Sequence, residues 1–188
     1  MKKSIKSTLI MTPLPVLIIG TYDAQGVPNA MNAAWGTQSD LDEIIITLSP
    51  HKTTDNLKIK KAFTVAFATK DTLIASDYFG IASGKNENKI AKANMHVRPA
   101  EKVDAPVIEE YPVTIECQMK ALEPDGDGFR LVGKVVNVQA EESVLDASGK
   151  IDLSKLQILC FDSASNTYRV LGDVVGNAFK DGLKLKKS

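Results

Sequence analysis

Residues 113–120 alternate apolar and polar side chains without a break, with Val113, Ile115, Cys117 and Met119 in one phase and Thr114, Glu116, Gln118 and Lys120 in the other. Side chains of an extended strand point alternately to opposite faces, so this segment is predicted to lay one face on a core and the other towards water. Asp125-Gly126-Asp127-Gly128 then turns the chain, and residues 129–138 return antiparallel to it. In the return strand Phe129 and Leu131 share one phase, and Val136 and Val138 the other, with Gly133 between them. That change of phase predicts a bulge, or a second half buried on both sides. A long hairpin of this kind commits the chain to antiparallel β-structure.

The remaining segments agree. Val16-Leu17-Ile18-Ile19 reads as a buried strand, Asp23-Ala24-Gln25-Gly26 as a turn, and residues 29–37 as the return strand of a hairpin. That return strand is rich in small residues: Ala30, Ala33, Ala34 and Gly36. Further strands are expected at 44–48, 63–68 and 158–161. Helical segments are expected at 53–61, at 71–79 with Gly80 closing it, and at 88–93, with a helical turn at 153–156. Six or seven strands, mostly hairpin-connected, with two or three short helices, describe a mainly β, single-domain antiparallel barrel of Greek-key or meander type. The helices are too few and too short to cover both faces of a parallel sheet.

Composition narrows the function classes. The chain has 188 residues, 44% hydrophobic and 24% charged, which suits one globular domain. Lys plus Arg is 23 and Asp plus Glu is 23, so bulk charge gives no reason to expect a nucleic-acid partner. Cys117 and Cys160 stand far apart and outside any C-x-x-C pair; both read as reduced core residues. Lys2, Lys3 and Lys6 precede an apolar stretch over 9–19, but Pro13 and Pro15 break it and no A-x-A site follows. It is also too short to span a membrane. A first strand, no membrane partner and a cytoplasmic location are the expectations. Residues 173–188, with Lys180, Lys184, Lys186 and Lys187, read as a basic tail outside a core over 10–172.

Three segments carry candidate chemistry. Ser49-Pro50-His51-Lys52-Thr53-Thr54 follows a strand and opens a helix. It can hold an anion on unpaired N–H groups, the Lys52 charge and the hydroxyls, or it can be a plain helix cap. Ser83-Gly84-Lys85, followed by Lys89, is either a binding loop or a solvated one. The segment Asn29-Ala30-Met31-Asn32-Ala33-Ala34-Trp35 either accepts a flat ring against its small side chains or packs tightly on its neighbour with Trp35 in the core. His51 and His96 share no ligand spacing, so no metal site is expected, and no nucleophile elbow, Walker A sequence or GxGxxG is present.

The order of these segments is more informative than any one of them. The strand Pro15 to Thr21, the hairpin arm Gly26 to Trp35, the turn Ser49 to Thr54, Asp77-Tyr78-Phe79-Gly80 with Ser83-Gly84-Lys85, and Glu109 to Cys117 follow one another. Over roughly residues 10–172 this set resembles the flavin reductase-like family of FMN-binding split barrels, in particular its flavoredoxin-like members. The resemblance implies a six-stranded antiparallel split barrel, a homodimer, and FMN near the dimer interface. It implies that Asn29, Met31, Asn32, Ala33, Ala34 and Trp35 line the isoalloxazine. It places the phosphate on Ser49, His51, Lys52, Thr53 and Thr54, with further contacts from Ser83, Gly84 and Lys89, and Phe161 closing the site. The implied function is electron transfer through FMN, with NAD(P)H or a redox protein as donor and no catalytic side chain; the alternatives are a non-catalytic flavin-binding or storage module and a cofactor-free interaction barrel. Two departures stand out: Lys85-Asn86-Glu87 replaces the Arg-Asp often found after Ser-Gly, and residues 160–166 lack the family's glycine-rich aromatic stretch.

Overall fold

In the computed structural model, which describes residues 1–5 and 11–186, the run at 16–19 is buried on both of its faces. Leu17 and Ile19 join one apolar cluster with Met31, Ile46, Phe63, Val65 and Leu131. Val16 and Ile18 join a second with Ala30, Phe79, Ile90, Ile108 and Leu159. A strand between two cores needs apolar residues in both phases, which is why this segment does not alternate.

The elements in chain order are β1 (Leu14–Pro15), β2 (Leu17–Tyr22), β3 (Pro28–Ala33), β4 (Gly36–Asp40), β5 (Glu43–Leu48), α1 (Lys52–Lys60), β6 (Ala62–Phe67), α2 (Leu73–Ile81) and α3 (Lys89–Lys92). They continue with β7 (Val97–Pro99), β8 (Pro106–Ile108), β9 (Val113–Asp125), β10 (Gly128–Ala140), α4 (Leu153–Leu156), β11 (Leu159–Asp162) and β12 (Thr167–Val170). The main sheet has seven strands in the order β3-β2-β6-β9-β10-β5-β4, every neighbouring pair antiparallel. Its two outermost strands, β3 and β4, are consecutive in the chain and joined only by Ala34 and Trp35. The sheet therefore curls until its edges approach, giving a split barrel whose gap lies at β3. The first cluster fills the barrel, and the second lies between its outer face and α2, α3 and β11.

Several expectations need correction. The sheet has seven strands rather than six, and shorter strands form a β1-β11-β12 sheet and a β7-β8 pair, so the total exceeds the expected six or seven. The predicted strand over 29–37 is interrupted at Ala34 and Trp35, where the Trp35 carbonyl accepts a hydrogen bond from Thr47 N–H at 2.8 Å. Gly80 does not end α2; it lies inside the helix, where an added Cβ would stand 3.4 Å from Asn32. The register of β9 against β10 shifts at Val132/Gly133, as the glycine suggested, and again at Val135/Asn137. Val136 and Val138 are exposed, however, not buried on both sides.

The polar phase of β9 does not face water at its start. Thr114 and Glu116 are buried. The Glu116 carboxylate accepts hydrogen bonds from Lys102 N–H at 2.7 Å and Asn137 Nδ2 at 2.9 Å, and also from Glu101 N–H and Gln139. Burial alone would raise its pKa, but these donors outweigh burial and hold it below the usual value. Cys117 and Cys160 are free and buried. Residues 171–186 are exposed throughout and end in a 3-10 turn at Asp181–Lys186. Lys6, Leu9 and residue 10 at the expected start of the core lie outside the described residues, as does Lys187. No helix among the described residues is long and apolar enough to cross a membrane.

Candidate functional site

α1 begins at Lys52 with His51 as an extended N-cap. The Thr54 hydroxyl accepts from His51 N–H at 3.0 Å and donates to the His51 carbonyl at 2.8 Å. Thr54 is thus consumed by the cap, and its side chain is fully buried. It lines neither cavity described below, so its expected place beside a ligand phosphate is corrected to a structural one. The first N–H groups of a helix have no partner inside it. Here that end, with Lys52 and Thr53, opens on a small cavity of about 50 Å³.

The walls of the small cavity come from four elements. Asn29 of β3 donates through Nδ2 to Thr53 Oγ1 at 2.9 Å. Ser83 and Gly84 also line it: a Cβ on Gly84 would fall 2.0 Å from Asn29 Oδ1, so any other residue here would have to displace the Asn29 amide that holds Thr53. Lys89 enters from α3 with 4% exposure and donates to the Phe79 carbonyl at 2.8 Å. Burial lowers its pKa to about 8. Lys52 pairs with Asp23 at 3.1 Å, and Asp23 is held below the usual carboxylate range by hydrogen bonds led by Val27 N–H, with Lys52 contributing. His51 is pushed down by burial and by the charges of Lys89 and Lys85, which favours its neutral ring. The site is a patch of positive potential with several donors, room for more than one water, and one carboxylate held aside.

A larger cavity of about 330 Å³ adjoins it. Both are lined by Met31, Asn32, His51 and Gly80. The larger one follows the barrel gap. Ala33 and Ala34 form a low wall, Thr47, Leu48 and Ser49 close the β5 side, and Phe161 stands opposite. Trp35 lines the mouth with 52% of its surface exposed, so it is not a core residue. β3 has a strand neighbour on one side only, so its other edge carries backbone groups unpaired within the sheet. Low side chains along such an edge suit a flat ligand that needs backbone partners.

Fourteen of the fifteen residues singled out in sequence lie on one cavity or the other, Thr54 being the exception. Sequence reasoning missed part of the wall. Asp77, Gly80 and Ile81 come from α2, while Asn166 and Tyr168 come from β12 and the turn before it. In sequence the Asp77 to Gly80 run is one of the ordered segments and carries no assigned role. Asn166 ends the segment 160–166 noted above as a departure and Tyr168 lies just past it, and the β11–β12 hairpin that presents them carries only four residues per strand.

Comparison with known proteins gives a consistent result. The family described as flavin reductase like domain matches residues 10–163. The flavoredoxin of Desulfovibrio vulgaris (Miyazaki F) is 31% identical, covers 97% of this chain and 100% of its own, and superposes with a TM-score of 0.92. A flavoredoxin from Methanosarcina acetivorans, 24% identical, covers 98% and 99% with a TM-score of 0.89. An FMN-binding protein from Thermus thermophilus, solved with bound 1-cyclohex-2-enone, shares the fold at 18% identity and a TM-score of 0.77, over 94% of this chain and 97% of that one.

Proposed function

Because the chain belongs to the flavin reductase-like family, we propose that it is an FMN-dependent oxidoreductase that passes electrons through FMN held in the two adjoining cavities. The observation that carries this reading is their polarity: a ring-sized, largely apolar cavity of about 330 Å³ opens onto a small cation-lined one of about 50 Å³. The larger volume lies in the usual range for ligand pockets. The residues fit the group. The N-terminus of α1, Lys52, Thr53, Ser83 and Lys89 would hold the phosphate through charge-assisted hydrogen bonds. Met31, Asn32, Ala33 and Ala34 would support the ring along the open edge of β3. When bound, the flavin supplies the hydride and electron chemistry.

The protein's own part is to bind, orient and expose. No side chain is assigned as acid or base. Trp35 and Ile81 line the mouth and are both exposed, which leaves an apolar approach for a donor. The donor is NAD(P)H or a redox protein, and the working form is a homodimer.

Titration of the apo-protein with FMN and with riboflavin tests the assignment. A hydrogen bond to a charged group contributes about 1.5–3 kcal/mol, so FMN is expected to bind at least about tenfold tighter. Equal affinities would remove the phosphate from the small cavity. Bleaching of bound flavin by NAD(P)H then separates a nicotinamide-fed reductase from a carrier fed by a protein.

A further inference from the structure

Among the described residues, no lysine or arginine lines the larger cavity and Asp77 is the one carboxylate there; His51 is favoured neutral. Asp77 sits on α2, two residues before Phe79, whose ring is buried and whose carbonyl receives Lys89 in the neighbouring cavity. Its Oδ1 accepts a hydrogen bond from Tyr168 OH at 2.7 Å, across 91 positions of sequence. Tyr168 is itself set by its ring contact with Phe161, the centroids being 6.0 Å apart. Burial first, and Asp77 second, keep that phenol protonated. A phenol, a carboxylate and an apolar ring thus form one continuous wall joining α2 to the β11–β12 hairpin. The positive charges of Lys52 and Lys89 are confined to the other cavity.

We propose that Asp77 tunes the redox balance of bound FMN, acting as an electrostatic brake on reduction whose strength Tyr168 moderates. The inference rests on the FMN reading above. A hydride delivered to the oxidised ring brings two electrons and one proton, so the ring gains one negative charge. A carboxylate in the same partly dry cavity disfavours that charge, because opposite and like charges weigh more where water is scarce. Tyr168 donates a hydrogen bond to the carboxylate and so spreads part of its charge. The expected consequence is that the protein binds oxidised FMN better than reduced FMN, relative to the same cavity without the carboxylate.

The test is the midpoint potential of FMN bound to the full-length protein, measured by equilibration with indicator dyes at one pH and one salt concentration. Asp77→Asn is expected to raise the ratio of reduced to oxidised affinity about tenfold, which is about 30 mV upward for a two-electron couple. Asp77→Glu keeps the charge and is expected to stay close to the parent. Tyr168→Phe removes the donor, leaves the carboxylate more exposed to the ring, and is expected to move the potential downward. A packing role alone would weaken both affinities together and leave the ratio unmoved. An unchanged or lower potential in Asp77→Asn overturns the proposal, as does a rise in Asp77→Glu or Tyr168→Phe equal to that in Asp77→Asn. If the unaltered protein takes up no FMN, the proposed function falls and this inference with it; FMN bound at an unmoved potential removes this inference alone.

Discussion

An ammonium group with 4% exposure and one carbonyl partner sits uneasily in a protein, and Lys89 shows the strain as a pKa lowered to about 8 by burial. An unfolded lysine titrates near 10.4. Between about 8 and 10.4 the unfolded chain therefore binds more protons than the folded one, so stability rises with pH across that window; below about 8 the buried charge costs stability in full. A phosphate in the small cavity reverses the preference, since it favours the charged amine. FMN affinity is then greatest below pH 8 and falls as pH rises above it, by at most tenfold per pH unit for one proton. Fluorescence titrations between pH 7 and 9.5 check this. Lys89→Met should flatten the slope, riboflavin should show none, and a slope that survives Lys89→Met would assign the proton elsewhere. Lys89 was visible in sequence only through the order of its neighbours, because one lysine in a short helical segment has no local mark. Asp77 and Tyr168 carried even less: their relation exists only after α2 and β12 have been packed together.

At the scale of elements, α1 separates two residues that look alike in sequence. Thr53 and Thr54 are adjacent hydroxyls at a helix start, and either could serve a ligand. The helical phase decides: Thr53 turns towards Asn29 and the small cavity, while Thr54 folds back on His51. Thr54→Ala is expected to cost about 1 kcal/mol as a lost cap, or about 2–4 °C in Tm for a chain of this length. The preference for FMN over riboflavin should be unchanged. Calorimetry with both titrations checks it, and a lost preference at unchanged Tm would restore Thr54 to the ligand. The same logic explains which elements were legible. The alternation of β9, the turn after it and the double-sided apolar run of β2 are local patterns, and local patterns survive in a single sequence. β7 and β8 have three residues each, with Pro99 and Pro106 paired at one end, and β11 and β12 have four each. Strands that short hold no periodicity to read. Gly80 misled because a glycine at a close helix–strand approach looks the same in sequence as a glycine that stops a helix.

At the scale of the whole molecule, the last sixteen described residues form an arm that leaves β12 beside the larger cavity and packs on little of its own chain: residues 171–186 are all exposed. Val174, Val175, Phe179 and Leu185 on it are each more than four-fifths exposed. The arm is not peculiar to this chain, because the match to the Desulfovibrio flavoredoxin leaves out only about six residues, 3% of 188. Exposed apolar side chains grouped in this way mark a surface that meets another, and a second copy of the chain would cover it symmetrically. In a symmetric dimer both arms are covered, so full burial of eight such side chains gains on the order of 12–24 kcal/mol gross. Association costs about 4–15 kcal/mol before the arms are ordered, so the arms alone leave a thin margin at the upper end of that cost. The exposed Val136 and Val138 on the bulged half of β10 are the natural supplement. The prediction is a dimer of about 41 kDa by light scattering, twice 20.3 kDa, which loosens when the chain is cut after Val170 and loosens further with Val138→Asp. Because Phe161, Asn166 and Tyr168 lie just before the arm and on the cavity wall, the cut should also weaken FMN binding, and dilution of the intact protein should release flavin as the dimer separates. A stable species of about 20 kDa that keeps its FMN would end the dimer proposal. A dimer untouched by the cut would place the interface on β10 and leave the arm without a part in it.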